Sequence, residues 1–457
     1  MIRMTLGEIA AAVDGRLVGA DPATVVTGPV EYDSRKILPG GLFVAFAGEN
    51  VDGHDFAGAA VAAGAAGVLG TRDTGAPGIV VADPLTALAR LARIVVDRLP
   101  ELTIVGLTGS SGKTTTKDYI GQLLARLGPT VAPPGSLNNE LGHPYTVLKA
   151  TPETRFLVLE MGARGIGHIR HLAAVAPPRI GVVLNIGSAH IGEFGSMEGT
   201  AKAKGELVEA LPADGVAILN ADDPLVAAMA SRTRARVVTF GESAGADVRA
   251  TGVELDGRGR ASYTLGGCAV KLAVAGRHQV GNTLAAAAVA REVGLPLAEV
   301  VAGLGEIAVV SSRRMDVFER DDGVTVIDDS YNANPSSAAA ALRALVAMGR
   351  GRRTTAVLGY MAELGAYERA GHADTGRLAA RLGVHRLIVV GENAAPILDG
   401  ALGVEEWTGE AVLAADQSAA ITALKAGLKP RDVVLVKGSR YRTWEVADSL
   451  RPEGERR

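Results

Sequence analysis

The chain has 457 residues, enough for two to four domains that each bury a core, and a formal net charge of −3 with no long basic run, which excludes nucleic acid as an obvious partner. Its single cysteine, Cys268, excludes an internal disulfide and a cysteine zinc cluster. Aromatic residues make up 4% while Ala, Val, Leu and Gly dominate, a composition suited to small-residue helices packed on parallel sheets.

Near the N-terminus, Glu8 and Asp14 interrupt the apolar core that a signal peptide needs. The weakly polar stretch at 57–70 is too short and too rich in Ala and Gly to span a membrane. A soluble, cytoplasmic protein without membrane insertion is expected. Residues 1–100 read as an α/β segment with a loop at Pro39-Gly40-Gly41 and a closing helix over 85–97. Residues 103–108 predict a short buried strand running straight into a glycine-rich turn. Apolar runs at 155–160 and 180–185 flank a helix at 166–176, the rhythm of a parallel sheet with crossover helices. Short segments punctuated by Gly257, Gly259, Gly266 and Gly267 break that rhythm over 246–275 and predict an antiparallel flap, followed by a helix over 279–293. A third alternation opens at Arg314, with strands near 324–327, 355–358, 387–390 and 433–436. The expected division is 1–100, 101–312 and 313–457.

Gly106-Leu-Thr-Gly109-Ser110-Ser111-Gly112-Lys113-Thr114-Thr115 lies at a predicted strand-to-helix junction. Glycines let backbone amides turn toward a polyphosphate, and the helix N-terminus adds partial positive charge. Residues 109–115 are therefore candidate ATP contacts, with Lys113 reaching the outer phosphates and the Thr114 hydroxyl holding magnesium. The spacing departs from the strict pattern, which wants glycine at 107 where Leu stands. This loop points to a nucleotide and leaves the reaction open.

Further motifs follow in chain order: Asp33-Ser34-Arg35, Asp52-Gly53-His54, Asn138-Asn139-Glu140, Glu160-Met161-Gly162-Ala163, Asn185-Ile186-Gly187 with His190, and Ala203-Lys204-Gly205-Glu206. Gly276-Arg277-His278 with Asn282, the run Asp328-Asp329-Ser330-Tyr331-Asn332-Ala333-Asn334-Pro335, and Val436-Lys437-Gly438-Ser439-Arg440 complete the set. Together with the phosphate loop they resemble the Mur ligases over nearly the whole chain. Asn-Asn-Glu, Glu-Met-Gly-Ala and Tyr-Asn-Ala-Asn-Pro are similar to the branch that adds D-alanyl-D-alanine. Two stretches depart from the family: Tyr360 stands where an acidic residue is usual, and Tyr-Arg-Thr-Trp follows Arg440.

The resemblance implies the three-domain α/β architecture of that family: an N-terminal domain for the uridine nucleotide, a central P-loop parallel-sheet ATPase domain, and a Rossmann-like C-terminal domain for the amino substrate. It implies ATP-dependent amide formation through an acyl phosphate, joining UDP-N-acetylmuramoyl-tripeptide to D-alanyl-D-alanine, with two magnesium ions and a monomeric enzyme. Lys113 and Arg314 then meet the phosphates, Asn282 the adenine and Asp329 the ribose. Thr114, Glu160, His190 and Lys204 hold metal, Lys204 as a carbamate. Ser34, Arg35, Asn138, Asn139, Asn332 and Asn334 contact the uridine precursor or the dipeptide.

Elementary chemistry gives some of these roles a reason. Glu160 ends a predicted strand at the sheet edge where α/β ligands bind. Asn282 offers the paired donor and acceptor that adenine needs. Lys202 and Lys204 lie about 200° apart around a helix, so both cannot face one site. An ammonium beside magnesium would be repelled, whereas a carbamate would not. Plainer readings stand alongside: a Lys202–Glu206 surface pair, a helix-starting Asn282, a packed His190, a turn at Asn-Ala-Asn-Pro, and a P-loop NTPase or silent scaffold.

Overall fold

The structure, a computed structural model, describes residues 1–187, 194–439 and 442–452. Among these, the first hundred build a five-stranded sheet in the order Arg16–Val18, Gly78–Val80, Gly67–Gly70, Leu42–Val44, Val30–Glu31, parallel except at the Arg16–Val18 edge. Helix Pro84–Asp97 starts where the Asp83 carboxylate accepts from the Leu85 and Thr86 amides, and it buries Leu88, Leu91 and Val95. That apolar face continues into Val147, Leu157 and Leu172 of the central region. The first two units therefore share one core.

The central sheet runs Cys268–Ala275, Arg260–Leu265, Val248–Leu255, Arg236–Gly241, Val216–Asn220, Ile180–Val183, Thr103–Thr108, Phe156–Glu160, Thr130–Val131. Its pairings are antiparallel among Cys268–Ala275, Arg260–Leu265 and Val248–Leu255 and parallel from Val248–Leu255 onward, so the flap is an extension of the sheet. Strand Phe156–Glu160 is buried along its full length, as strands covered by helices on both faces are. Short apolar runs gave the strand positions well, to within a residue or two.

The last unit is a six-stranded sheet, Asp316–Glu319, Thr325–Asp328, Val433–Lys437, Thr354–Gly359, Arg386–Val390, Glu410–Ala414, antiparallel only at its first pair. It is closed against the central unit. Ala275 at the end of the flap lies in the same cluster as Met315, Leu345 and Met348, and a Cβ on Gly187 would meet the Ser336 hydroxyl at 2.9 Å. No helix of the described residues is long and apolar enough to cross a membrane.

One buried residue gives the fold an acid sensitivity. His143, on helix Gly142–Val147, is fully buried, and neither ring nitrogen has a hydrogen-bond partner among the described residues. Burial, and then the charge on His171, push it down to about 3. The unfolded chain binds this proton near the ordinary histidine value, so stability is lost as pH falls from about 6.5 toward the folded value. His143→Leu is expected to flatten the fall in thermal midpoint between neutral pH and pH ~4. An unchanged slope would assign the acid loss to other groups.

Candidate active site

The phosphate loop leaves strand Thr103–Thr108 and enters helix Lys113–Leu124 at Gly112, whose φ of 80° favours glycine. A Cβ at Gly112 would also lie 2.6 Å from Asn282 Oδ1. The amides of Ser110 and Ser111 donate to the carbonyl and side chain of Asn185, so they brace the loop. The amides of Lys113, Thr114 and Thr115 are first-turn donors with no partner inside the helix. These are the groups that face an anion. Lys113 Nζ meanwhile donates to the Gly109 carbonyl at 2.8 Å.

Glu160 is the hub of the site. It is 2% exposed; its Oε2 accepts from the Thr114 hydroxyl at 2.7 Å, and its Oε1 accepts from Ser136 Oγ at 2.8 Å and Asn138 Nδ2 at 2.6 Å. Lys204, on helix Met197–Glu209, is buried while Lys202 is exposed, as their angular separation requires. Glu206 is also buried and accepts from the Gly167 and Arg170 amides, which removes the Lys202–Glu206 surface pair. Arg232 lies across Gly205, where a Cβ would come 2.0 Å from its Nη1. Its guanidinium donates to the carbonyls of Ala201 and Lys202, fixing the helix that carries Lys204.

Burial, and then the charge on Lys113, push the Lys204 ammonium well below the ordinary lysine range. Lys113 is itself lowered by burial, with Glu160 opposing and Arg314 reinforcing the shift. Lys204 and Arg314 thus both bear on Lys113, which Glu160 alone opposes, an arrangement that an incoming polyanion relieves. The carboxylate and the Thr114 hydroxyl are hard oxygen donors of the type magnesium takes, so the residues present fit that ion.

The closed C-terminal unit completes a cavity of about 620 Å³. Arg314, Asp329, Asn332 and Asn334 line it together with Lys113, Thr114, Glu160, Lys204 and Asn282. Asp329 pairs with buried Lys437 and accepts from the Met315 amide. Asn282 is the fourth residue of helix Gln279–Glu292 rather than its cap, and its Nδ2 donates to Gln279 Oε1. Asn334 caps helix Pro335–Met348, and Asn139 Oδ1 accepts from the Gly142 amide. Ser34 and Arg35 do not line this cavity. Arg35 is exposed and paired with Asp33. His190 falls outside the described residues, and so do Arg440 and Tyr441.

Residues 107–290 match the Mur ligase middle domain, 313–440 the Mur ligase glutamate ligase domain, and 29–103 the Mur ligase family catalytic domain. The UDP-N-acetylmuramoyl-tripeptide--D-alanyl-D-alanine ligase of Mycobacterium tuberculosis is 50% identical, covering 98% of each chain. The chain belongs to the Mur ligase family. The ligase of the same name from Escherichia coli is 38% identical over 99% of this chain and 100% of its own. Among solved structures, MurF from Acinetobacter baumannii shares the fold with a TM-score of 0.86 at 32% identity, covering 98% of each chain. MurF from Thermotoga maritima in complex with ADP gives 0.79 at 29%, covering 93% and 97%.

Seen as a Mur ligase, the chain has site residues that the motifs quoted without a role, or did not quote. Ser136 sits in a loop without pattern and reaches Glu160 only in three dimensions. Lys437 and Tyr331 stood inside quoted motifs, and their partners, Asp329 and Arg314, could have been guessed only from the sheet order. Tyr360 donates to Glu368 Oε2 at 2.6 Å and stacks on His372. The departure from an acidic residue there is thus met by a carboxylate on the next helix, Glu368–Arg381.

Proposed function

We propose that this Mur ligase joins D-alanyl-D-alanine to UDP-N-acetylmuramoyl-tripeptide in the cytoplasm, in peptidoglycan precursor synthesis, as a monomer of three domains bounded at 1–100, 101–312 and 313–457. The observation that carries the reading is that Lys113, Lys204, Arg314 and Glu160 line one cavity shared by the central and C-terminal units, with Lys113 next to Glu160, Arg314 and Lys204. The tripeptide carboxylate attacks the γ-phosphorus of ATP, giving an acyl phosphate and ADP. The dipeptide amine then attacks the acyl carbon and phosphate leaves. The difficult approach is that of two anions, and cations placed where charge develops lower its cost.

Lys113, the amides of Lys113 to Thr115 and Arg314 serve the phosphates. Thr114 and Glu160 would hold a magnesium ion, which supplies charge neutralisation on the triphosphate. Lys204, favoured as a neutral amine by its burial, adds to carbon dioxide and loses a proton, so that a neutral amine becomes an anionic carbamate that would hold a second ion with His190. Asn282 addresses adenine and Asp329 the ribose. Ser34 and Arg35 meet the uridine nucleotide outside the cavity, and Asn138, Asn139, Asn332 and Asn334 line the path of the peptide substrates.

Isotope transfer tests the chemistry. With tripeptide labelled by ¹⁸O in its terminal carboxylate, MgATP and the dipeptide, released phosphate is expected to carry one ¹⁸O. Product formed with unlabelled phosphate would overturn the acyl phosphate.

A further inference from the structure

Two neighbouring arginines in the C-terminal unit are held in different ways. Arg313 gives both ends of its guanidinium to Asp448, at 3.2 and 2.9 Å. Arg314 lies instead over the face of Tyr331, its guanidinium carbon 4.2 Å from the ring centre. Its Nε–H is buried and has no hydrogen-bond partner among the described residues. Both Arg314 and Tyr331 line the cavity, and Tyr331 is 44% exposed, so it is not there to fill a core.

The backbone around Arg314 is strained to achieve this. Arg313 and Met315 have φ of 61° and 52°, left-handed values that side-chain-bearing residues seldom adopt and that persist only where neighbours impose them. The Tyr331 amide donates to the Arg313 carbonyl at 3.2 Å, and the Met315 amide to Asp329 Oδ1 at 3.1 Å. Segment 313–315 is thereby stitched to segment 329–331 on both sides of Arg314.

The choice of a ring rather than a carboxylate has a consequence. A carboxylate occupies the N–H fork and cancels the charge, as Asp448 does for Arg313. An aromatic face attracts the guanidinium through its plane and leaves the in-plane donors directed outward. We propose that Tyr331 is a positioning residue for phosphoryl transfer, holding Arg314 flat with its N–H edge free for the terminal phosphate of ATP. The inference rests on the reading above that Arg314 meets that phosphate.

The test compares binding of ADP with binding of the magnesium complex of β,γ-imido-ATP, by calorimetry, in full-length variants checked by thermal melting. Tyr331→Leu is expected to lower affinity for the imido analogue about three- to fivefold, the size of one partly exposed cation–ring contact, while leaving ADP affinity unchanged. Tyr331→Phe keeps the ring and is expected to match the parent. Equal analogue-to-ADP ratios in parent and Tyr331→Leu, or a Phe variant as impaired as Leu, would overturn the positioning role. Arg314→Ala separates the two levels: it is expected to abolish the preference for the analogue. If it does so while Tyr331→Leu does not, Tyr331 alone is misassigned; if it leaves the ratio intact, the reading of Arg314 fails and the inference fails with it.

Discussion

Replacing Lys204 by alanine is expected to lower turnover about a thousandfold, the scale seen when a charge-stabilising group at a reaction centre is lost. Formate or acetate in millimolar excess is expected to restore part of it by placing a carboxylate in the vacated space. The reasoning begins with burial: Lys204 is 1% exposed and shares its surroundings with Lys113. An ammonium there is unfavourable and would repel magnesium, whereas a carbamate answers both problems. The depressed ionisation also has a sign for stability. The unfolded chain binds this proton more tightly than the fold does, so the group costs stability at low pH and the cost fades as pH rises toward the ordinary lysine value. Lys204→Met, of similar length and without charge, is therefore expected to raise the thermal midpoint in carbon-dioxide-depleted buffer while activity falls. Full activity in Lys204→Ala would remove the carbamate.

The second large effect lies at Glu160. Its two oxygens accept from Thr114, Ser136 and Asn138, and a glutamine there keeps the shape while setting an amide N–H₂ against these donors. Glu160→Gln is expected to fold, to need much more magnesium for half-maximal activity, and to lose about a hundredfold in turnover at saturating magnesium. Ser136→Ala, which removes one supporting hydrogen bond, is expected to shift the magnesium titration in the same direction by less. A Glu160→Gln enzyme with the parent's magnesium dependence would show that this carboxylate braces the loop and holds no metal.

What could be read in the sequence follows the range of the interactions. The strand before the phosphate loop, the loop's entry into a helix, and the facing of Lys202 and Lys204 to different sides depend on neighbours within a few residues, and periodicity records those; that Lys204 is the buried one came from the family resemblance. The flap was legible because alternation and paired glycines mark hairpins. Contacts between distant segments of one unit were not. The Ser136–Glu160, Lys437–Asp329 and Arg314–Tyr331 pairs arise from sheet order and loop packing, which no local pattern encodes. Some side chains also turned out to hold their own backbone. Asn334 caps the helix that begins at Pro335, a signal that Asn-Pro carries by itself, and Asn139 and the Ser110 and Ser111 amides brace loops. Motif matching assigns such groups to ligands because it cannot see where their hydrogen bonds end.

The most direct test of the proposed activity follows phosphate release from MgATP and UDP-N-acetylmuramoyl-tripeptide with D-alanyl-D-alanine, with D-alanine, or with no amine. Release that depends on the dipeptide, together with the mass of the pentapeptide product, is the predicted result. Phosphate released equally without an acceptor, or a product formed as readily with D-alanine, would contradict it.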